Sequence, residues 1–132
     1  NWIPGDPTVV AQLLKISAAY SPPPPEGFIS PITWGMEEKV IEPCAAAGIP
    51  AERVAFERAT FVFAAPVPPS EYLAWFRDYY GPTMNAYAAA EASGRTAEQH
   101  AELDALFNAK NESGDTTTTR VPATYLLVTV RR

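Results

Sequence analysis

A length of 132 residues with 47% hydrophobic content is that of one ordinary domain with enough apolar side chains for a core. The formal net charge of −5 and the absence of a basic patch argue against nucleic acid as a partner. One cysteine and one histidine exclude an internal disulfide framework and a conventional zinc site, and no apolar run reaches the length of a membrane span or forms a signal peptide.

The first residues, Asn1-Trp2-Ile3-Pro4, read as the end of a strand, as if the chain belonged to a longer parent. Asp6-Pro7 then predicts a helix start, with Asp as cap and Pro at the first helical position. Val9, Leu13, Ile16 and Tyr20 share one face of that helix, with Val10 and Leu14 beside them. Pro22 to Pro25 end it and open a stiff connector through Gly27, Phe28, Pro31 and Trp34, expected to pack over the body.

Gly35 to Gly48 is a second helical candidate, with Val40, Ile41, Cys44 and Ala47 on its apolar face and Pro43 limiting it. Arg53 to Ala65 reads as a long strand whose apolar face switches near Glu57-Arg58-Ala59. Either both faces are covered, or a bulge re-aims the side chains there. Ser70 is placed as the cap of a third helix carrying Tyr72, Trp75, Phe76 and Tyr79. Gly81-Pro82 breaks it, and Met84, Tyr87 and Ala88 continue an apolar stripe to Gly94. Thr96-Ala97-Glu98-Gln99 has the capping-box pattern, followed by Leu103, Leu106 and Phe107. After a loop at Asn111 to Asp115, Thr116 to Val130 reads as a closing strand buried on both faces, with Pro122 facing an edge or bulge.

The order predicts an α/β chain that appears α+β when taken alone: a small mixed or antiparallel sheet with helices. Several stretches resemble a bacterial subgroup of class I S-adenosylmethionine-dependent methyltransferases. They are Asn1-Trp2-Ile3-Pro4, the Pro-Pro-Pro connector, Ser30 to Gly35, Phe56 to Phe61, Phe76 to Tyr87, Phe107-Asn108 and Val121 to Leu126. The resemblance spans essentially the whole of residues 1–132 and implies the C-terminal part of a Rossmann-like methyltransferase sheet. It implies that Asn1-Trp2 ends strand five of that sheet, that Arg53 to Ala65 is strand six, and that Thr116 to Val130 is strand seven, inserted between them. It further implies an enzyme that uses S-adenosyl-L-methionine on a small-molecule acceptor, and the single cysteine fits a reducing, cytoplasmic setting.

The family's donor site uses a glycine-rich turn and an acidic residue, and no Gly-x-Gly pair occurs in this sequence. No donor-binding residue is therefore assigned, no donor is expected on this piece, and the piece alone is expected to be inactive. Its open strand edges predict a homodimer or swapped assembly.

Six residues are candidates for the acceptor pocket. Asn1 and Trp2 lie at the carboxyl end of strand five, where open α/β sheets bind ligands, although Trp2 also suits packing under the connector. Trp34 suits a lid or a packing anchor. Tyr79 and Tyr80 suit acceptor orientation or a core helix–turn. Asn85 suits an acceptor contact or a helix cap. His100 reads as a surface residue, Cys44 as a buried inert thiol, and Glu57-Arg58 as a structural charged pair. No catalytic residue is assigned. The rival reading is a stand-alone α+β module binding a small ligand, and a further one is an interaction domain using its strand edge.

Overall fold

The computed structural model describes residues 1–131 and is a mixed α+β arrangement. Helices α1 (Val9–Tyr20), α2 (Glu37–Ala46), α3 (Pro69–Tyr79), α4 (Gly81–Ala92) and α5 (Thr96–Lys110) accompany two strands, β1 (Val54–Ala65) and β2 (Thr119–Val130). Short 3-10 turns occupy Pro31–Gly35 and Ala51–Arg53.

The strands pair antiparallel along their whole length, from Val54 opposite Val130 to Ala65 opposite Thr119. The register is continuous, so the switch of face near Glu57 involves no bulge. Val54 at one end of β1 and Ala65 at the other are buried on opposite faces of the sheet, Ala65 toward the core, but Phe61 between them is 53% exposed, so the two faces are not both covered along the strand.

The outer edge of β2, away from β1, is filled by the chain itself. In an antiparallel strand successive N–H groups point to alternate sides. On the outer side the Arg120 amide donates to Asn111 Oδ1 at 2.8 Å, the Thr124 amide to the Thr8 hydroxyl at 2.8 Å, and the Leu126 amide to the Asn1 carbonyl at 2.7 Å. Pro122 shares this side, so its missing donor removes nothing from the ladder with β1. Trp2 forms an antiparallel bridge with Tyr125. Three segments thus lie side by side in the order Asn1–Trp2, β2, β1, and among the described residues no strand pairs with the outer edge of β1.

The core lies where α1, α3 and α5 meet one face of the sheet. Val9, Val10 and Leu13 of α1, Leu73 and Phe76 of α3, Leu103 and Phe107 of α5, and Val121 and Ala123 of β2 form it. Helix α4 packs on α1 and buries the small residues Thr83, Ala86 and Ala90, while Met84 and Ala88 are exposed. Small side chains let the two helix axes approach, so the buried stripe turns away from the bulky Met84, which stays exposed.

Several sequence expectations need correction. Helix α1 begins at Val9, not at Pro7, because the Asp6 carboxylate accepts from the amide and hydroxyl of Thr8 and holds a turn there. Ser70 and Thr96 lie inside the first turns of α3 and α5 and cap neither. Helix α2 runs through Pro43 and buries only Val40, while Cys44 is half-buried. Strand β2 starts at Thr119: the Asp115 carboxylate accepts from the Thr117 amide and hydroxyl, and Asn111 Nδ2 donates to the Asp115 and Thr118 carbonyls. These side-chain bonds hold Thr116 to Thr118 in a turn. The connector is exposed from Pro22 to Ile29 rather than packed, since a four-proline run offers no N–H to tie it down. Glu57 and Arg58 form no ion pair: neighbours along a strand point to opposite faces.

Candidate functional site

A cavity of about 400 Å³ opens where Trp2, β1 and α3 converge. Seven of its eight lining residues are aromatic. The sheet supplies Trp2 and Phe63. Helix α3 supplies Tyr72, Trp75, Phe76 and Tyr79, which its 3.6-residue repeat gathers on adjoining faces. Tyr80 follows from the break between α3 and α4, and Val10 closes the floor from α1.

The rings hold one another mostly edge to face. Trp2 meets Tyr125 at 6.1 Å between centroids, and Phe63 meets Phe76 at 5.6 Å. Phe76 in turn meets Tyr80 at 5.5 Å and Phe107 at 5.3 Å, and Tyr72 meets Trp75 at 5.2 Å. This is the arrangement the ring quadrupoles favour, and it anchors the walls to the core. Burial pushes the Tyr72 and Tyr80 phenols up, in Tyr80 against a smaller opposing effect of the Trp2 indole. Both are therefore neutral at neutral pH.

Trp2 is fixed from behind. Gly35 packs so close to it that a Cβ at position 35 would lie 2.0 Å from the Trp2 carbonyl oxygen. The end of the connector therefore does cover Trp2, through its backbone, while the indole lines the cavity.

Of the six sequence candidates, Trp2, Tyr79 and Tyr80 come together at this cavity. Asn1 lies beside it on β2, its amino group and Nδ2 both reaching the Leu126 carbonyl at 3.5 Å. Trp34 is 45% exposed and does not line the cavity. Asn85 is exposed on α4, outside the cavity, and caps no helix. Sequence reasoning missed Val10, Phe63, Tyr72, Trp75 and Phe76 as lining residues. The signal was present in α3: Tyr72, Trp75 and Phe76 share the helical spacing of Tyr79.

His100 is exposed, as expected, and its Nδ1 lies 2.7 Å from the Tyr87 hydroxyl. A shallower depression of about 470 Å³ is lined partly by Arg77, Asp78 and Tyr87. The Arg77 guanidinium is already held by Asp78 at 2.7 Å, so its charge is met within the chain. Among the described residues no group of three or more Cys, His, Asp or Glu is arranged to hold a metal, and no helix is long and apolar enough to cross a membrane.

The residues present do not fit a sulfonium methyl donor. Its amino-acid and ribose groups need charged or acidic partners, and no lining residue of the aromatic cavity carries a formal charge. What the cavity can do is bind a small apolar body, orient it and exclude water. Compared with known proteins, the chain matches no family model, no curated protein and no solved structure.

Proposed function

We propose that this chain is the acceptor side of a small-molecule methyltransferase that uses S-adenosylmethionine, with the donor held by residues outside this sequence. The observation that carries the reading is the bridge between Trp2 and Tyr125. It puts Asn1–Trp2 on one edge of β2 while β1 takes the other, the order the sequence resemblance implies for strands five, seven and six of the Rossmann-like sheet. The aromatic cavity beside Trp2 supports it further, since ligands of open α/β sheets gather over strand ends at such positions.

In this role the chain's own residues do no covalent chemistry. Trp2, Phe63 and Phe76 wall the acceptor, and Tyr79 and Tyr80 flank it. Their contribution is orientation, which brings a reacting atom into line, and exclusion of water. The chain alone is inactive on this reading, and its setting is cytoplasmic. The open edge of β1 pairs with a second copy, so the mass measured by sedimentation rises with concentration. A monomer throughout contradicts that part.

One observation favours a second reading. The outer edge of β2 is satisfied from within by Asn111, Thr8 and Asn1, as in a self-contained binding module. The test is the reading frame that encodes Asn1. A Gly-x-Gly turn after a strand ahead of Asn1, with methyl transfer from labelled donor to a small acceptor that is lost in Trp2→Ala, supports the methyltransferase. A frame without that turn and a product without transfer leave the binding module.

A further inference from the structure

The lining of the aromatic cavity narrows the chemistry of its occupant, and the inference rests on the acceptor reading above. We propose that the cavity takes an uncharged planar aromatic molecule with one hydrogen-bonding group, which the Tyr72 phenol meets.

Size comes first. A volume of about 400 Å³ lies in the range of small-molecule pockets and suits a body of two or three fused rings. Charge comes second. No lining residue carries a formal charge, so an anionic or cationic ligand would give up its water with no counter-ion to replace it. Ring faces attract cations, and most strongly where several faces turn toward one point. Here the rings turn edges onto one another's faces: Phe76 meets Phe63 at 77° and Tyr72 at 71° between ring planes. A flat aromatic ring continues that pattern, whereas a compact cation interrupts it.

The polar handle comes third. Tyr72 is 8% exposed and lines the cavity. Burial alone pushes its phenol up, and no protein group among the described residues shares its proton. Its hydroxyl has no protein partner among the described residues and is not sealed from solvent, so a ligand entering the cavity displaces its water and relieves that loss only by supplying a donor or acceptor. The preference therefore falls on a planar ligand bearing a hydroxyl or carbonyl over its plain hydrocarbon.

The experiment titrates four probes into the chain and follows the indole N–H resonances of Trp2 and Trp75 by NMR. The probes are 2-naphthol, naphthalene, 2-naphthoate and N-methylquinolinium. The expected result is movement of both indoles with 2-naphthol and affinities about ten-fold weaker for the two charged probes, from lost hydration. Tyr72→Phe weakens 2-naphthol by about five-fold, the worth of one hydrogen bond, and leaves naphthalene unchanged. Tighter binding of N-methylquinolinium overturns the proposal in favour of a cation box. No indole movement with any probe overturns it outright. If Tyr72→Phe unfolds, the rank order of the four probes on the unaltered chain decides alone. The outcome is separable from the methyltransferase reading: binding without transfer by the longer gene product sinks that reading only, and transfer to a charged acceptor without 2-naphthol binding sinks this proposal only.

Discussion

The Thr124 amide of β2 donates to the Thr8 hydroxyl at 2.8 Å, and that hydroxyl donates in turn to the Asp6 carboxylate. One side chain at the foot of α1 thereby meets one of the three paired donors on the outer edge of the last strand and fixes where the first helix begins. Removing it leaves a strand N–H without a partner. Thr8→Val is expected to cost about 1–3 kcal/mol, the penalty of an unmet donor, and Thr8→Ser much less. Urea unfolding of the two variants beside the parent chain checks this. Equal midpoints for all three would show that the bond contributes nothing.

Gly35 sets the seat of Trp2. Its missing Cβ is a requirement of close approach, since the atom would meet the Trp2 carbonyl oxygen and carbon at 2.0 and 2.7 Å. Backbone atoms cannot swing aside as a flexible side chain can. Gly35→Ala is expected to destabilise by about 3 kcal/mol and to shift the Trp2 indole resonance. Gly81→Ala is the control: nothing lies within 4 Å of its added Cβ, and it opens α4. Only its chain neighbour Pro82 restricts an added Cβ there, so that change is expected to cost about 1 kcal/mol at most. Similar losses in both variants would contradict the close approach at Gly35.

Tyr20 couples α1 to α5. Its hydroxyl donates to Glu102 at 2.6 Å, and the Arg95 guanidinium lies 4.3 Å from its ring centroid. The bond to Glu102 first, and then burial, push its phenol up to about 12. A phenol whose pKa is higher folded than unfolded favours the fold while it is protonated. Its contribution is complete below the ordinary tyrosine value of about 10 and is lost as the pH climbs toward 12. The gap in urea midpoint between the parent and Tyr20→Phe is therefore expected to narrow over that alkaline window. Because burial also raises Tyr72, Tyr80 and Tyr87, only the difference between the two proteins isolates Tyr20. A constant gap across the window would contradict the coupling.

Much of the fold is legible in the residue pattern, because the strongest periodicities are those the core enforces. The faces of α1 and α5 follow from Val9, Leu13, Leu103 and Phe107, whereas the strands are less covered than their apolar content suggests: Phe61 of β1 is exposed, and β2, expected to be buried on both faces, leaves Leu127 and Val130 exposed. The element ends depart from the residue pattern where side chains compete for backbone groups. Asp6, Asn111 and Asp115 each hold a local turn that propensity alone assigns to a helix or a strand. The stripe of α4 is hard to see in the sequence because alanines carry little hydrophobic weight, yet they permit the closest packing.

The cavity was only half legible. Trp2, Tyr79 and Tyr80 stand out as aromatic residues near breaks in the chain. Tyr72 and Phe76 belong to the core and to the cavity wall at once, and helical spacing alone cannot separate those roles. Phe63 joins them only through the register of β1 against β2, which brings α3 and Trp2 to the same end of the sheet.

The whole account turns on Asn1–Trp2 lying along the free edge of β2, since that contact orders the three segments and supplies one cavity wall. Amide hydrogen exchange measured by NMR tests it most directly. The Leu126 N–H, bound to the Asn1 carbonyl at 2.7 Å, is expected to exchange slowly. The Val128 N–H faces the same side beyond the reach of Asn1 and is expected to exchange fast. Exchange at Leu126 as fast as at Val128 would detach Asn1–Trp2 from the strand, and with it the ordering of the sheet on which the proposed function rests.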